Sequence, residues 1–353
     1  MPKLLGMTQS AYDPASRVRL IQYIPYLLAA GWEVDHRPNR PDRQWTSPLS
    51  LRAARGIHYR FGRLAMKWNR WRDVLEADRY DVVFVNRDLA GAGLLHEKKL
   101  LQKNSNVVFD FDDAIFLGPN EPAVRWMCEH AGWVTPGNAY LADYVGKHTD
   151  RVTIIPTVID TDRYLPGPDR ATRRDGTVRV GWSGSDFSIR ATLFPYLELL
   201  ARLQKRVSFQ FVIVSNSKPV LPVKEFSWTF SPWSAETEGE LGEVMDIGLM
   251  PLVDSEFQRG KCGLKLLQYM AAGLPTVASP VGVNAQITQH GRTGFLASSQ
   301  SEWEEAITTL VQSPVLRGSM GTAGRQVCVE QYSIRRWLPV LLEVFQRVHD
   351  GSA

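Results

Sequence analysis

Two glycines and two lysines are grouped in front of an apolar, periodic segment in the second half of the chain. Gly260 and Gly263 flank Lys261, and Lys265 follows two residues later. The amide groups at a helix N-terminus carry partial positive charge, and glycine lets a ligand approach the backbone closely, so this grouping is suited to a diphosphate. The spacing leaves a second interpretation open, in which the glycines only form a turn and the lysines are solvated.

Three carboxylates end a hydrophobic run in the first half of the chain. Residues 107–113 read VVFDFDD, and the alternation predicts a strand with Asp110 and Asp112 on one face and Asp113 in the following loop. Such a cluster can act as a base or hold a metal ion. It can equally cap a helix and bind loop amides, and the spacing does not separate these roles.

The glycine and lysine group lies inside a strand, loop, helix, strand unit. Residues 247–253 form a short apolar run that predicts a buried strand. From Leu264 the apolar residues recur at helical spacing, and Gly273 followed by Pro275 ends the predicted helix before a second strand begins at Thr276. This order puts the loop after a strand and directly before a helix.

The N-terminal half opens with a similar unit. Two predicted strands enclose a helix for which we predict Ser16 as the N-cap. Open α/β sheets bind ligands outside the C-terminal ends of their strands, so Ser16 and Arg17 are candidate ligand contacts. A further predicted strand ends at Asn86 and Arg87, which makes these two residues candidates as well.

A basic segment follows the first unit. Between residues 37 and 72 the chain has ten lysines or arginines and one acid, Asp42. A helical projection of residues 52–75 separates an apolar face from a basic one, and basic amphipathic helices bind anionic membrane surfaces. The alternative is a helix that packs its apolar face on its own domain. Nucleic-acid binding is disfavoured because no nucleic-acid module surrounds the segment. The candidate membrane contacts are Arg52, Arg55, Arg63, Lys67 and Arg70.

The composition is that of an ordinary globular protein, with 44% hydrophobic and 22% charged residues in a chain of 353. We find neither a signal-peptide pattern nor an apolar span of membrane length, so we expect a cytoplasmic protein that is at most peripheral on the inner membrane face. Three widely spaced cysteines favour neither disulfides nor zinc, and no metal site is predicted.

The length of the chain predicts two domains, because single cores rarely grow this large. A segment rich in proline and charge divides two α/β patterns. We predict an N-terminal Rossmann-like domain over residues 1–159, a linker over 160–176 and a C-terminal Rossmann-like domain over 177–333. A final helix over 334–353 could cross back to the N-terminal domain.

These ordered segments resemble the retaining glycosyltransferases of the GT-B fold, in the glycogen-synthase-like superfamily. The resemblance spans nearly the whole chain, and the N-terminal motifs are similar to those of bacterial surface-polysaccharide transferases. It implies an α/β fold of two Rossmann-like domains facing a central cleft, a nucleotide diphosphate sugar as donor, retention of configuration, no cofactor and no obligatory metal. The motifs are DIGLMPL, GKCGLKLLQYMAAGLPTVASPVG and GRTGFLA, then SRVR, VFVNR, FDFDDAIF and PTVIDTDRY.

This chain departs from the family at two paired positions. The Glu-x7-Glu pair that holds the donor sugar and ribose in the family is replaced by Gly260 and Gln268, of which Gln268 keeps an amide for a ribose hydroxyl. Lys265 matches a lysine of relatives that lack the first glutamate. The family's Arg-x4-Lys pair becomes Ser185 and Arg190, so one of its two cations is kept.

The resemblance also implies roles for individual residues. Fixed cations and amides stabilise the charge on a departing diphosphate, and Asp112 and Asp113 lie near the place where relatives have a histidine that contacts the sugar. With Lys265 they are the candidate catalytic residues. The N-terminal candidates Ser16, Arg17, Asn86 and Arg87 would bind the acceptor. The candidate donor contacts are Gly184, Ser185, Arg190, Lys261, Gly263, Lys265 and Gln268.

We therefore expect transfer of a sugar to a saccharide or lipid-linked acceptor in bacterial envelope or exopolysaccharide biosynthesis. Three alternatives stay open: a GT-B-fold sugar nucleotide epimerase, a catalytically silent sugar-nucleotide-binding protein, and a metal-dependent transferase that uses Asp110 and Asp112. Product formed without an acceptor would indicate the epimerase.

Overall fold

A computed structural model describes residues 1–40, 52–91, 93–167 and 176–351, with the backbone alone for residues 52–59. The chain forms two compact units, of which the first consists of Met1–Thr157 with Trp337–Ala353 and the second of Val158–Arg336. The first boundary lies two residues before the start of the predicted linker. Residues 168–175 of that linker lie outside the described residues.

The described part of the first unit contains a five-stranded parallel sheet. Its strands are β1 (Lys3–Ser10), β2 (Glu33–Arg40), β3 (Val82–Asn86), β4 (Val107–Phe111) and β5 (Trp133–Pro136). They lie side by side in the order β2-β1-β3-β4-β5. All residues of β3 and β4 are buried, as expected for central strands of a parallel sheet that is covered on both faces.

Helices connect these strands. The first helix begins after Asp13, whose carboxylate accepts hydrogen bonds from the backbone N–H groups of Ala15 and Ser16. The prediction that Ser16 is the N-cap is therefore wrong: Pro14 occupies the first turn, where its fixed φ favours helix initiation, and Ser16 lies buried inside the helix. The helices are α1 (Pro14–Arg19), α2 (Ile24–Ala29), α3 (Arg52–Leu75), α4 (Leu95–Lys103), α5 (Glu121–His130) and α6 (Ala139–Val145).

The second unit has a six-stranded parallel sheet among its described residues. Its strands are β6 (Arg179–Ser183), β7 (Gln210–Ser215), β8 (Trp228–Pro232), β9 (Ile247–Met250), β10 (Thr276–Ala278) and β11 (Gly294–Leu296). They lie in the order β11-β10-β9-β6-β7-β8, so the chain reverses its direction of winding at β6 and β9. The two parallel sheets confirm the predicted α/β class of two Rossmann-like domains.

Helices of very different length surround this second sheet. Trp182 of β6 and Trp303 are the largest fully buried side chains of its core. The helices are α7 (Ile189–Thr192), α8 (Leu197–Gln204), α9 (Leu241–Val244), α10 (Glu256–Arg259), α11 (Leu264–Ala271), α12 (Asn284–Ile287), α13 (Gln300–Gln312) and α14 (Pro314–Gln331).

The last helix, α15 (Ile334–His349), begins in the second unit and belongs to the first unit from Trp337 onward. Its Phe345 is fully buried in the first unit, with ring centroids 5.4 Å from Trp32 and 6.0 Å from Phe84. The C-terminal residues are therefore part of the hydrophobic core that the N-terminal residues build.

One basic residue of α3 is buried. Arg70 is 1% exposed, and its guanidinium donates to the Thr8 carbonyl at 2.7 Å and forms an ion pair with Asp73 at 3.2 Å. Burial lowers the pKa of Arg70 to about 10 although Asp73 opposes this shift. Arg70 therefore anchors the helix to the sheet, and its predicted role as a membrane contact is wrong.

Three large apolar side chains of α3 point away from the first unit. Phe61, Leu64 and Trp68 are 69%, 63% and 64% exposed. The alternative in which α3 packs its apolar face on its own domain is thus wrong for the described side chains. The side chains of Arg52 and Arg55 lie outside the described residues. Among the helices that the structure describes, none is both long and apolar enough to cross a bilayer.

Candidate functional site

The helix that follows the predicted phosphate-type loop begins at a glycine in the left-handed conformation. Gly263 has φ +70° and is the N-cap residue of α11, where as a glycine it has no side chain that could cap the helix. A Cβ atom at Gly263 would lie 2.3 Å from Ile287 Cδ1. Both the backbone angle and the packing require glycine, and the first turn of α11 presents the partial positive charge of a helix N-terminus at this point.

A second glycine turn lies against the first turn of α11. Gly184 follows β6 directly, and a Cβ atom there would lie 2.4 Å from the Trp182 ring and 2.9 Å from Lys265 Cε. The Lys265 ammonium group in turn lies 5.3 Å from the centre of the Trp182 ring, within cation–π range. The structure therefore brings together two candidates that are 81 positions apart in the sequence, Gly184 and Lys265.

Tyr269 links the elements on which these residues lie. It is not among the site residues predicted from the sequence. Its hydroxyl accepts a hydrogen bond from the Ser183 backbone N–H at 2.8 Å and donates to the Leu249 carbonyl at 3.3 Å. Its ring packs on Gly248, where a Cβ atom would lie 2.3 Å from it. Burial raises the pKa of Tyr269, so the hydroxyl stays protonated and keeps both bonds. A glycine in a buried strand was the available signal for this close packing.

The other donor candidates have partners within the second unit. The Arg190 guanidinium lies 5.7 Å from the Phe194 ring centre, and the Lys261 ammonium lies 4.9 Å from that of Phe257. Ser185 forms a turn before α7, with its hydroxyl accepting from the Ser188 backbone N–H at 3.2 Å.

Gln268, the candidate for the ribose hydroxyl, is 7% exposed and donates its side-chain N–H to the Tyr164 hydroxyl at 2.9 Å. Its amide is therefore already used inside the unit. Gly260 has φ −73° and ends α10, so its backbone conformation does not require glycine. Its role at the first position of the family's acidic pair stays a prediction.

In the first unit, Arg87 holds the two candidate aspartates. Its guanidinium donates to Asp112 at 3.0 Å and to Asp113 at 2.7 Å, and Asp13 lies 4.0 Å away. Burial alone would lower the pKa of Arg87, but the three carboxylates outweigh this and raise it. Arg87 also has φ +65°, a conformation that costs a non-glycine residue free energy.

Asp110 has a different partner from its neighbours. It forms a buried ion pair with Arg19, at 3.0 Å between Arg19 Nε and Asp110 Oδ2. Its oxygens also accept hydrogen bonds from Asn86 at 2.9 Å and Thr135 at 2.8 Å. The prediction that Asp110 and Asp112 lie on one face of the strand is thus wrong, because β4 ends at Phe111 and Asp112 lies in the loop, where it contacts Arg87.

The four acceptor candidates are at different depths. Ser16 and Asn86 are at most 1% exposed, and the Asn86 amide serves Asp110. Arg17 is partly buried, and the Arg87 side chain is 20% exposed. Ser16 and Asn86 are therefore buried at this edge of the sheet, whereas the side chains of Arg87 and its two aspartates are partly exposed.

Comparison with known proteins adds the family. Residues 190–313, which contain Lys265 and α11, match the family model of the glycosyl transferases group 1. The chain is similar in structure to sucrose-phosphate synthase from Thermosynechococcus elongatus, with a TM-score of 0.71 at 16% identity over 99% of this chain and 100% of that one. Residues 190–313 are thus similar in sequence to this family, and the whole chain has the GT-B fold. The predicted resemblance is confirmed.

The chain is also similar to two further proteins. D-inositol 3-phosphate glycosyltransferase from Pseudarthrobacter chlorophenolicus is 24% identical over 265 residues, which cover 67% of this chain and 61% of that relative. The match thus spans about three fifths of the relative's length. The structure of Anabaena HepE in complex with UDP-glucose matches with a TM-score of 0.66 at 16% identity, over 99% of each chain.

Proposed function

We propose that the protein transfers a sugar from a nucleoside diphosphate donor held by the second unit to a saccharide or lipid-linked acceptor held by the first. The observation that carries this proposal is the contact of Lys265 with Gly184 at the N-terminus of α11. There the ammonium group of Lys265 lies on the Trp182 ring beside a helix N-terminus, which carries partial positive charge. The complex of HepE with UDP-glucose supports a uridine nucleotide as the first donor to test.

The chemistry follows from where charge develops. When the bond between the anomeric carbon and the diphosphate oxygen breaks, negative charge grows on that oxygen. The Lys265 ammonium group, positioned on the Trp182 ring before the donor binds, and the first amides of α11 stabilise this charge without rearranging. The leaving diphosphate takes the proton of the acceptor hydroxyl while that oxygen bonds to the anomeric carbon. We assign retention of configuration on the family resemblance.

On the acceptor side, Asp112 and Asp113 present carboxylate oxygens that Arg87 holds in place. Carboxylates accept hydrogen bonds from sugar hydroxyls, so this pair would orient the acceptor or the transferred sugar. We propose a role in bacterial envelope or exopolysaccharide assembly, in the cytoplasm and at the inner membrane face. The exposed apolar side chains of α3 support that location, with Arg63 and Lys67 as the described basic contacts.

Calorimetric titration with UDP and with UDP-, GDP- and ADP-sugars tests the donor site. Lys265→Met should weaken the binding of the correct nucleotide by about tenfold or more, as expected for loss of a charge-assisted hydrogen bond. The matched control is Lys218→Met, because Lys218 also lies over a tryptophan of the same unit, 5.8 Å from the centre of the Trp228 ring. Equal affinity of the two variants for the nucleotide would contradict the assignment.

A further inference from the structure

A cavity of about 500 Å³ lies in the first unit, beside α3 and at the C-terminal ends of β1 and β2. It is separate from the donor residues, which all belong to the second unit. Its walls come from three parts of the chain: the end of the sheet, the loop after β3 and one side of α3. The residues that define it are Gln9, Asn39, Arg40, Arg63, Lys67 and Asp88.

The charge of this cavity is unbalanced. Arg40, Arg63 and Lys67 contribute three positive charges against the single carboxylate of Asp88. That carboxylate already accepts hydrogen bonds from the Gln9 side chain and from the Gly91 backbone N–H. Within the part of the chain that the structure describes, none of the three cations has a carboxylate at ion-pair distance. A concave surface with several cations and polar groups binds an anion, and its size suits a phosphate on a sugar.

The helix that supplies two of these cations carries the exposed apolar side chains on another side. Arg63 and Lys67 are four residues apart and face the cavity, whereas Phe61, Leu64 and Trp68 recur at three- and four-residue spacing on the solvent side. We call these three the apolar ridge. Aromatic and aliphatic side chains next to arginine and lysine fit the boundary between lipid head groups and acyl chains. Contact of the ridge with a bilayer would bring the cavity to the level of the lipid phosphates.

We propose that this cavity binds the phosphate group of the sugar acceptor, and that the acceptor carries this phosphate on a hydrocarbon chain held at the apolar ridge. The proposal rests on the proposed sugar transfer, since it names the acceptor of that reaction. The cavity recognises the phosphate, and the ridge selects the lipid-linked form over a free one.

Two phosphate monoesters separate the contribution of the cavity to binding from that of the apolar ridge. Methyl phosphate and dodecyl phosphate, the latter below its micelle concentration, have the same head group and differ in the chain. In calorimetric titration we expect both to bind, with dodecyl phosphate at least about tenfold tighter because its chain leaves water. Equal affinities would overturn the lipid-linked acceptor. No binding of either compound would overturn the phosphate site.

Variants assign the binding to the cavity. Arg63→Ala with Lys67→Ala should weaken both monoesters by about tenfold or more. Arg60→Ala removes one positive charge from the same helix at a residue that does not line the cavity, and it should leave methyl phosphate binding unchanged. Phe61→Ser with Trp68→Ser should remove only the advantage of dodecyl phosphate. If Arg60→Ala weakened methyl phosphate binding as much as the double variant does, the attraction would be unspecific and the proposed site would be overturned.

Titration with UDP on the same samples keeps the two proposals apart. All variants should retain the UDP affinity of the wild type, because the donor residues lie in the other unit, and urea denaturation shows whether the substituted unit is folded. UDP binding without phosphate binding would overturn the cavity and leave the proposed transfer intact. Phosphate binding without UDP binding would overturn the proposed transfer, and with it the identity of the phosphate as the acceptor's.

Discussion

The hydroxyl of Tyr269 accepts a hydrogen bond from the backbone N–H of Ser183 at 2.8 Å. Tyr269 lies on α11 and Ser183 ends β6, so this bond fixes the strand end just before Gly184 relative to the helix that carries Lys265. The candidate donor site thus depends on a tyrosine that is fully buried.

Replacement of Tyr269 by Phe should test this dependence. The change leaves the Ser183 N–H buried without its acceptor, which should cost about 1–3 kcal/mol of the free energy of unfolding. It should also weaken UDP binding, since the Gly184 turn loses its anchor. Urea denaturation and calorimetry measure the two effects. Tyr332→Phe removes a hydroxyl that has no hydrogen bond to any of the described residues, and it should change neither quantity.

A methyl group at Gly184 should disturb the site directly. In Gly184→Ala the new Cβ would overlap the Trp182 ring and approach Lys265 Cε, so the lysine must move from its position. We expect weaker UDP binding and a loss of stability of about 1–3 kcal/mol from the forced repacking. Gly318→Ala is the control, because a Cβ atom there would meet no described atom within 4 Å beyond its own helix backbone, and alanine favours the helix. Unchanged UDP affinity in Gly184→Ala would contradict the proposed site.

The sequence predicted this site in outline because its signals are local. The glycine before α11, the helical spacing from Leu264 and the Gly273-Pro275 end all come from neighbouring residues, and the observed helix begins at Leu264. Partners that are distant in sequence left no such signal. Arg19 is 91 residues from Asp110, and no spacing rule pairs them.

The left-handed conformation of Arg87 gives a prediction that separates the effect of the backbone conformation on stability from the effect of the charge. Both Arg87→Ala and Arg87→Gly remove the guanidinium and leave two aspartates without their counter-ion. Only alanine keeps the cost of φ +65°, which is about 1–2 kcal/mol for an L-residue. Urea denaturation should therefore show Arg87→Gly to be more stable by about 1 kcal/mol. Equal stability would mean that the variants do not keep this backbone angle.

Asp113→Asn should separate acceptor chemistry from donor binding. Asparagine keeps the size of the side chain and loses the charge that Arg87 positions and that a sugar hydroxyl would contact. We expect a turnover reduced by about tenfold or more, as for loss of a charged hydrogen-bond partner, with UDP affinity unchanged. Initial rates of sugar transfer measure the turnover, and calorimetric titration of the same preparation measures the UDP affinity. A wild-type rate would remove Asp113 from the site.

Glu97 predicts a pH dependence of stability. It is 2% exposed, its Oε1 has no hydrogen-bond partner among the described residues, and burial, with a smaller effect of Asp88, raises its pKa to about 7. The unfolded chain loses this proton near pH 4.5 and the folded chain only near 7. Folding therefore binds a proton in this window, and stability falls as pH rises through it, by about 1.4 kcal/mol per pH unit.

Glu97→Gln should abolish this contribution. Its stability relative to the wild type should rise between pH 5 and pH 7 and level off above that, as measured by urea denaturation at each pH. Glu343→Gln, at a glutamate whose side chain is 61% exposed, should show no such trend. If the stability of Glu97→Gln and that of the wild type depended on pH in the same way, folding would not raise the pKa of Glu97, and the prediction would be wrong.

The orientation of α3 shows a limit of pattern-based prediction. The alternation of apolar and basic residues defines two faces, but it does not state which face the rest of the unit covers. The orientation is set by the hydrogen bond from buried Arg70 to the carbonyl of Thr8, which is 62 residues away in sequence. Gln268 is a similar case, since its partner Tyr164 is 104 residues away.

The burial of Phe345 against Trp32 and Phe84 bears on the order in which the chain folds during synthesis. The first unit cannot complete its core until the ribosome has made residues 337–351, whereas every residue of the second unit, Val158–Arg336, has been made before them. Although domains usually fold from the N-terminus onward, here the unit that starts first finishes last. A chain shortened before α15 would leave the rings of Trp32 and Phe84 without this partner, and so would be a target for quality-control proteases.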